Sequence, residues 1–300
     1  MYSRWFSTAV VLLWLSTMGW LVKEKVLPPL LLGDPPSNQT ILQARRGHPP
    51  VRWQILWNNN EVGWATNSTK ELPKGCTRID SHVHFDDLPV DEMAPGWLRA
   101  IFHVVERVGG SADDDKGNAI HDIQTDAVSS FIIDASNRLS EIESSLSFQP
   151  SGQTISMQGV AKDDKLELTV HSFDVDLKAQ VPLDTDAFLR DALSPTTRLP
   201  NLYEGRTWTV SVLTPLKYPN SPHEILLAKV EGLHLITYNG SPKAVWLVTY
   251  HNNPGKKLST DTKPRAKLWV QRDGVVLKQE MSILNSTITF VRIPDNCNNE

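Results

Sequence analysis

Hydrophobic residues follow two different periods along this chain, and one stretch has no period at all. From Trp5 to Val22 (WFSTAVVLLWLSTMGWLV) 18 residues pass without a charge, between Arg4 and the pair Lys23 and Lys25. A helix of that length measures about 27 Å at 1.5 Å per residue, close to the roughly 30 Å of a hydrocarbon core. Trp5 and Trp20 fall at its ends, where indoles favour the headgroup region. No polar face divides the run, which argues against a core-packed helix. No small-x-small cleavage site follows Gly19, which favours an uncleaved anchor over a signal peptide. The stretch is read as a single-pass transmembrane signal-anchor that meets the lipid bilayer through residues 5–22. The rest of the chain is expected on the extracytoplasmic side.

Pro28, Pro29, Pro35 and Pro36 make residues 26–50 a stiff, extended stalk. At Arg52 the period becomes two. Trp53, Ile55 and Trp57 share a face, Asn58-Asn59-Asn60 supplies a turn, and Val62, Trp64 and Thr66 answer as a second strand. Further alternating runs follow over 77–85, 128–134, 139–148, 154–161, 166–170 and 175–181, and again at Trp208-Val210-Val212 and Trp246-Val248-Tyr250. Asp273-Gly274 turns a hairpin within 268–281, and Ile288 and Phe290 close the fold. Helical spacing is confined to Met93–Arg107 and Asp184–Leu193. Helices do not alternate with strands, so a parallel α/β sheet is unfavoured. The expected fold is mainly β (α+β): a curved antiparallel sheet or half-barrel with one or two short helices. The organisation is an anchor at 1–25, the stalk at 26–50, a β domain at 51–293 and a polar tail at 294–300.

Composition narrows the function. Thirty basic against 34 acidic residues give no footprint for nucleic acid. Cys76 and Cys297 carry no spacing signature, so two unpaired thiols are preferred over one long-range disulfide. Of ten tryptophans, those in strand-like segments (Trp53, Trp64, Trp208, Trp246 and Trp269) are the candidate ligand-binding residues, expected on the inner face of the sheet. They would either fill it as a core or line a groove for an apolar ligand.

Asp80-Ser81-His82-Val83-His84 is the one stretch with metal-ligand character. On a strand, Asp80, His82 and His84 project to the same side, and two imidazoles so spaced can share a metal. The pattern resembles the His-x-His of amidohydrolase barrels, which needs further ligands at later strand ends of a (β/α)₈ barrel. This chain has no such alternation, so a solvent-wetted polar face is preferred and no metal or cofactor is expected. Ser81 and Ser129 sit in no nucleophile elbow, and no catalytic residue is assigned.

Arg52–Ala65 (RWQILWNNNEVGWA) resembles the opening hairpin of DUF3108-type bacterial envelope domains, and Lys267–Leu284 (KLWVQRDGVVLKQEMSIL) resembles their closing hairpin. These domains are similar to the curved half-barrel sheets of lipoprotein carriers. The resemblance implies that fold and a place in the cell envelope. The function expected is therefore a non-catalytic binding or assembly module, with an apolar ligand or an envelope protein as partner. The alternative is a metal-dependent hydrolase using His82 and His84.

Overall fold

The computed structural model describes residues 4–21, 36, 38–86, 124–149, 152–172, 175–182, 195–213, 223–252, 263–283 and 286–294. The segments 93–107 and 184–193, expected to be helical, lie outside the described residues, as does Cys297. Cys76 is a free thiol.

Two helices precede the sheet: α1 (Arg4–Leu21) and α2 (Asn38–Arg45). α1 exposes Trp5 and apolar side chains between Val10 and Leu21. Among the described residues, however, no helix is long and apolar enough to cross a membrane. The helix takes in Arg4, ends at Leu21, and dilutes its leucines and valines with three tryptophans, serines, threonines and a glycine. α2 falls where the prolines suggested an extended stalk. Its Leu42 is 1% exposed and packs with Ile79, Phe131, Ile133, Leu139, Ile142 and Leu166. The end of the stalk thus belongs to the fold.

The first eight strands are β1 (Val51–Trp57), β2 (Asn60–Glu71), β3 (Thr77–Phe85), β4 (Gln124–Ile133), β5 (Leu139–Gln149), β6 (Gln153–Lys162), β7 (Lys165–Ser172) and β8 (Val175–Pro182). After a crossing segment come β9 (Thr207–Leu213), β10 (His223–Tyr238), β11 (Ser241–Asn252), β12 (Ala266–Val270), β13 (Val276–Ile283) and β14 (Ser286–Arg292). All lie in one antiparallel sheet of order β8-β7-β6-β5-β4-β3-β2-β1-β14-β13-β12-β11-β10-β9. The first and last strands pair in its interior, from Trp53↔Arg292 to Trp57↔Ile288. β8 and β9 follow each other in the chain yet form the two edges.

Residues whose conformation suits tight turns set the hairpins. Asn58 and Asn59 (φ 49° and 72°) join β1 to β2, and Asp163 and Asp164 (φ 49° and 61°) join β6 to β7. Asn239 and Gly240 (φ 48° and 72°) join β10 to β11. Positive φ at both central residues gives the turn twist that matches the strands.

The sheet curls. Trp208 on edge strand β9 and Trp53 on β1, six strands away in the order, are both 0% exposed and belong to one buried cluster. Segment 195–206 runs across this core face: Leu199 joins the cluster, its N–H donates to the Gly274 carbonyl at 2.7 Å, and the Gly205 N–H donates to the Val230 carbonyl. A row of small polar residues, Asn67↔Ser81↔Ser129↔Ser144, separates this cluster from the one beneath Leu42. Within the row Asn67 Nδ2 donates to Ser81 Oγ at 3.2 Å, and the Ser129 and Ser144 hydroxyls lie 3.1 Å apart. Ser81 and Ser129, the serines with the nearest claim to nucleophilic chemistry in the sequence, thus bond to Asn67 and Ser144.

Candidate binding groove

Because side chains alternate across a strand, burying Trp53, Ile79, Val83 and Phe131 obliges the intervening residues to share the opposite face. Registers across β1 to β6 align Arg52↔Thr66↔His82↔Val128↔Ser145↔Ser156 in one row. The next row is Ser68↔Asp80↔Ser130↔Glu143↔Gln158, and Lys70↔Arg78 begins a third. Between them these side chains line a groove of about 910 Å³. Hydroxyl and charged groups and the Gln158 amide line it together with Pro50, Leu72 and Val128.

Charge is unevenly distributed in the groove. On the β2–β3 side Asp80 receives Arg78 Nε at 2.7 Å and has Lys70 Nζ at 3.7 Å, two cations around one carboxylate. The Asp80 hydrogen bond and then its charge hold Arg78 above its ordinary value. The Arg52 side chain, exposed on β1, has no hydrogen-bond or ion-pair partner among the described residues. On the far side Glu143 is the one acid, among serines and Gln158.

At one end of the groove a compact polar cluster continues the face. Asp126 Oδ1 lies 2.9 Å from His82 Nε2 and 2.9 Å from His84 Nδ1, and His84 Nε2 lies 3.2 Å from Asp86 Oδ1. The Trp64 ring stacks on His84 at 5.4 Å between centroids and meets His82 edge-on at 4.8 Å. Burial works against a charged His84, but the hydrogen bond and charge of Asp126, with Asp86 behind them, outweigh it and hold His84 above its usual value. Burial likewise opposes the Asp126 carboxylate, yet the two imidazoles hold it below its usual value.

The sequence placed Asp80, His82 and His84 on one face, and they are there. It did not foresee Asp126, which β4 delivers from 42 residues beyond His84. That carboxylate oxygen occupies the point equidistant from the two imidazole nitrogens. Asp80 bonds instead to Arg78. Among the described residues no group of three or more His, Cys, Asp or Glu side chains is arranged to hold a metal ion.

The five candidate tryptophans separate. Trp53 and Trp208 are sealed in the core, with Trp246 packed against it. Trp269 alternates with buried Leu268 and Val270, so it lies on the other face, where Lys278 Nζ sits 4.8 Å from its ring centre. Trp64 is 38% exposed beside the histidines. A bulge causes that displacement: Ile55 pairs with Gly63 but Leu56 with Glu61, leaving Val62 as the extra residue and turning Trp64 outward. Gly63 permits the bulge, since a Cβ there would lie 2.0 Å from the His84 carbonyl oxygen.

A second polar cluster lies on β10 and β11. Lys229 Nζ donates to Glu231 Oε2 at 2.6 Å and Thr249 Oγ1 to Glu231 Oε1 at 3.0 Å, so the Glu231 carboxylate is engaged at both oxygens.

No protein-family model matches the chain, and no curated protein matches it. The expected assignment to DUF3108-type or lipoprotein-carrier domains is therefore not supported. Among solved structures the chain is similar to a beta-barrel-like protein of domain of unknown function DUF1849 from Brucella abortus. The identity is 8% and the TM-score 0.44, over 81% of this chain and 95% of that one.

Proposed function

We propose that this chain is a non-catalytic binding module, tethered by α1 to a membrane and displaying its sheet on the extracytoplasmic side, whose ligand is polar and lies in the groove on β1–β6. The observation that carries this reading is the groove itself, about 910 Å³ walled by side chains from six strands, within the size range of ligand sites. The face opposite is occupied by its own tryptophans, which argues against an apolar ligand there. The tether is supported by the exposed valines, leucines and tryptophans of α1, an apolar surface larger than single scattered residues and one that water disfavours.

The test uses the full chain in detergent, screened with a library of polar ligands and with a fluorescent fatty acid. The expected result is binding of polar ligands that Ser130→Trp abolishes by filling the groove, with no fatty-acid binding. Fatty-acid binding that Ser130→Trp leaves intact would overturn the polar-groove reading. The tether is tested by carbonate extraction of membranes, from which the chain should stay in the pellet.

A further inference from the structure

We infer that the groove takes a short acidic oligosaccharide, a chain of sugars carrying sparse carboxylates. This rests on the groove being a binding site and names what it selects.

The lining excludes other polymers by its chemistry. An extended peptide gains most of its affinity by adding to a sheet edge through backbone hydrogen bonds. Here the floor is formed by interior strands, β2 to β5, whose backbone groups are already paired with both neighbours. Recognition must come from side chains alone. Those side chains are rich in hydroxyls and amides, with Thr66, Ser68, Ser130, Ser145, Ser156 and Gln158 spread over the floor. Such groups both donate and accept, which matches a ligand bearing a hydroxyl at nearly every carbon. A nucleic acid would bring a charge at every residue past Asp80 and Glu143, against three fixed cations among the described lining residues.

The cations show what charge the sugar carries. Lys70 and Arg78 together face one carboxylate, Asp80, and Arg52 faces none among the described residues. The β1–β3 wall therefore carries an excess of two positive charges, while Glu143 on the opposite side disfavours a densely charged polyanion. A carboxylated sugar placed over Arg52 gains a charge-assisted hydrogen bond, bidentate if the guanidinium meets both oxygens. At the end of the groove Trp64, 38% exposed and beside His82, supplies a flat apolar face for a terminal ring.

The experiment titrates the full chain in detergent with a hexasaccharide of alternating glucuronate and N-acetylglucosamine, with neutral cellohexaose and with inorganic phosphate, following Trp64 fluorescence against a Trp64→Phe control. The expected result is saturable binding of the alternating hexasaccharide, at least about tenfold weaker in Arg52→Gln, the scale of one charge-assisted hydrogen bond. Cellohexaose should bind about tenfold more weakly, with no response to Arg52→Gln. Phosphate should not compete. Arg52 is exposed, so its replacement leaves folding intact, and the melting temperature of the variant verifies that. Equal affinity for the two hexasaccharides, or no binding of either, would overturn the inference. The groove as a binding site would then still be judged separately by the polar-ligand screen with Ser130→Trp.

Discussion

Asp126 and His84 face each other across the β3–β4 pair with Oδ1 and Nδ1 2.9 Å apart, and each carries a pKa displaced in the direction that favours the ion pair. His84 is raised from 6.5, so its contribution to stability is complete below that value and fades as pH rises through the folded value. Asp126 is lowered from 3.8, so its contribution is present above that value and fades as pH falls through the folded one. The pair therefore stabilises most between about pH 4 and 6.5. Asp126→Asn should lower the melting temperature more at pH 5.5 than at pH 8.5. His251 tilts the profile the opposite way, because burial and then Lys229 lower its pKa against the pull of Glu231. Both proteins keep His251, so the difference between them isolates the Asp126 pair. An equal loss at both pH values would refute the assignment.

The bulge that turns Trp64 outward depends on a residue without a Cβ. Gly63→Ala would drive a methyl group into the His84 carbonyl, where the strands cannot give way without losing register. The expected cost is about 2–4 kcal/mol, read as a fall in the urea midpoint. A change within about 0.5 kcal/mol, ordinary for surface sites, would mean that β2 runs without the bulge.

Tryptophans on the two faces should respond differently. Trp53→Ala and Trp208→Ala each empty a fully buried site and should cost about 3–5 kcal/mol. Trp64→Ala should cost no more than about 1 kcal/mol, since its ring lies half in solvent against the histidines. Similar losses at all three positions in chemical denaturation would contradict the division of faces.

Leu42 tests whether α2 belongs to the folded unit. At 1% exposure among six buried residues of the sheet, its replacement by Ala should cost about 2–5 kcal/mol. A neutral effect in the same denaturation experiment would return residues 38–45 to the role of a stalk.

Alternation made much of the fold legible. Trp53-Ile55-Trp57 and Asp273-Gly274 predict hairpins that exist, because a strand with one buried face writes a period of two into its sequence. The β10 strand escaped the reading even though Asn239-Gly240 is a strong turn signal. Its upper half, Leu233 to Tyr238, mixes exposed leucines with half-buried Ile236 and Tyr238, so the period is blurred. α2 escaped because Leu42 is its one fully buried apolar contact, too little to mark a helical face. The reversal of Trp64 depends on the bulge, a backbone event that pattern alone does not place. Candidate chemistry was legible where it was local. Asp80, His82 and His84 on one strand face are a consequence of parity, whereas Asp126 joins them only through the register of β3 with β4. The groove was least legible, since it collects polar positions from six strands and exists only once the sheet bends.

The most direct test of a ligand in the groove is nitrogen-resolved NMR of the full chain in micelles, with histidine imidazoles and tryptophan indoles labelled, during titration with the ligands that the polar screen selects. His82, His84 and the Trp64 indole should shift together and saturate, while Trp53, Trp208 and His251 stay still. Saturable shifts at Trp53 and Trp208 with His82 unmoved would place the ligand in the core face and contradict the account.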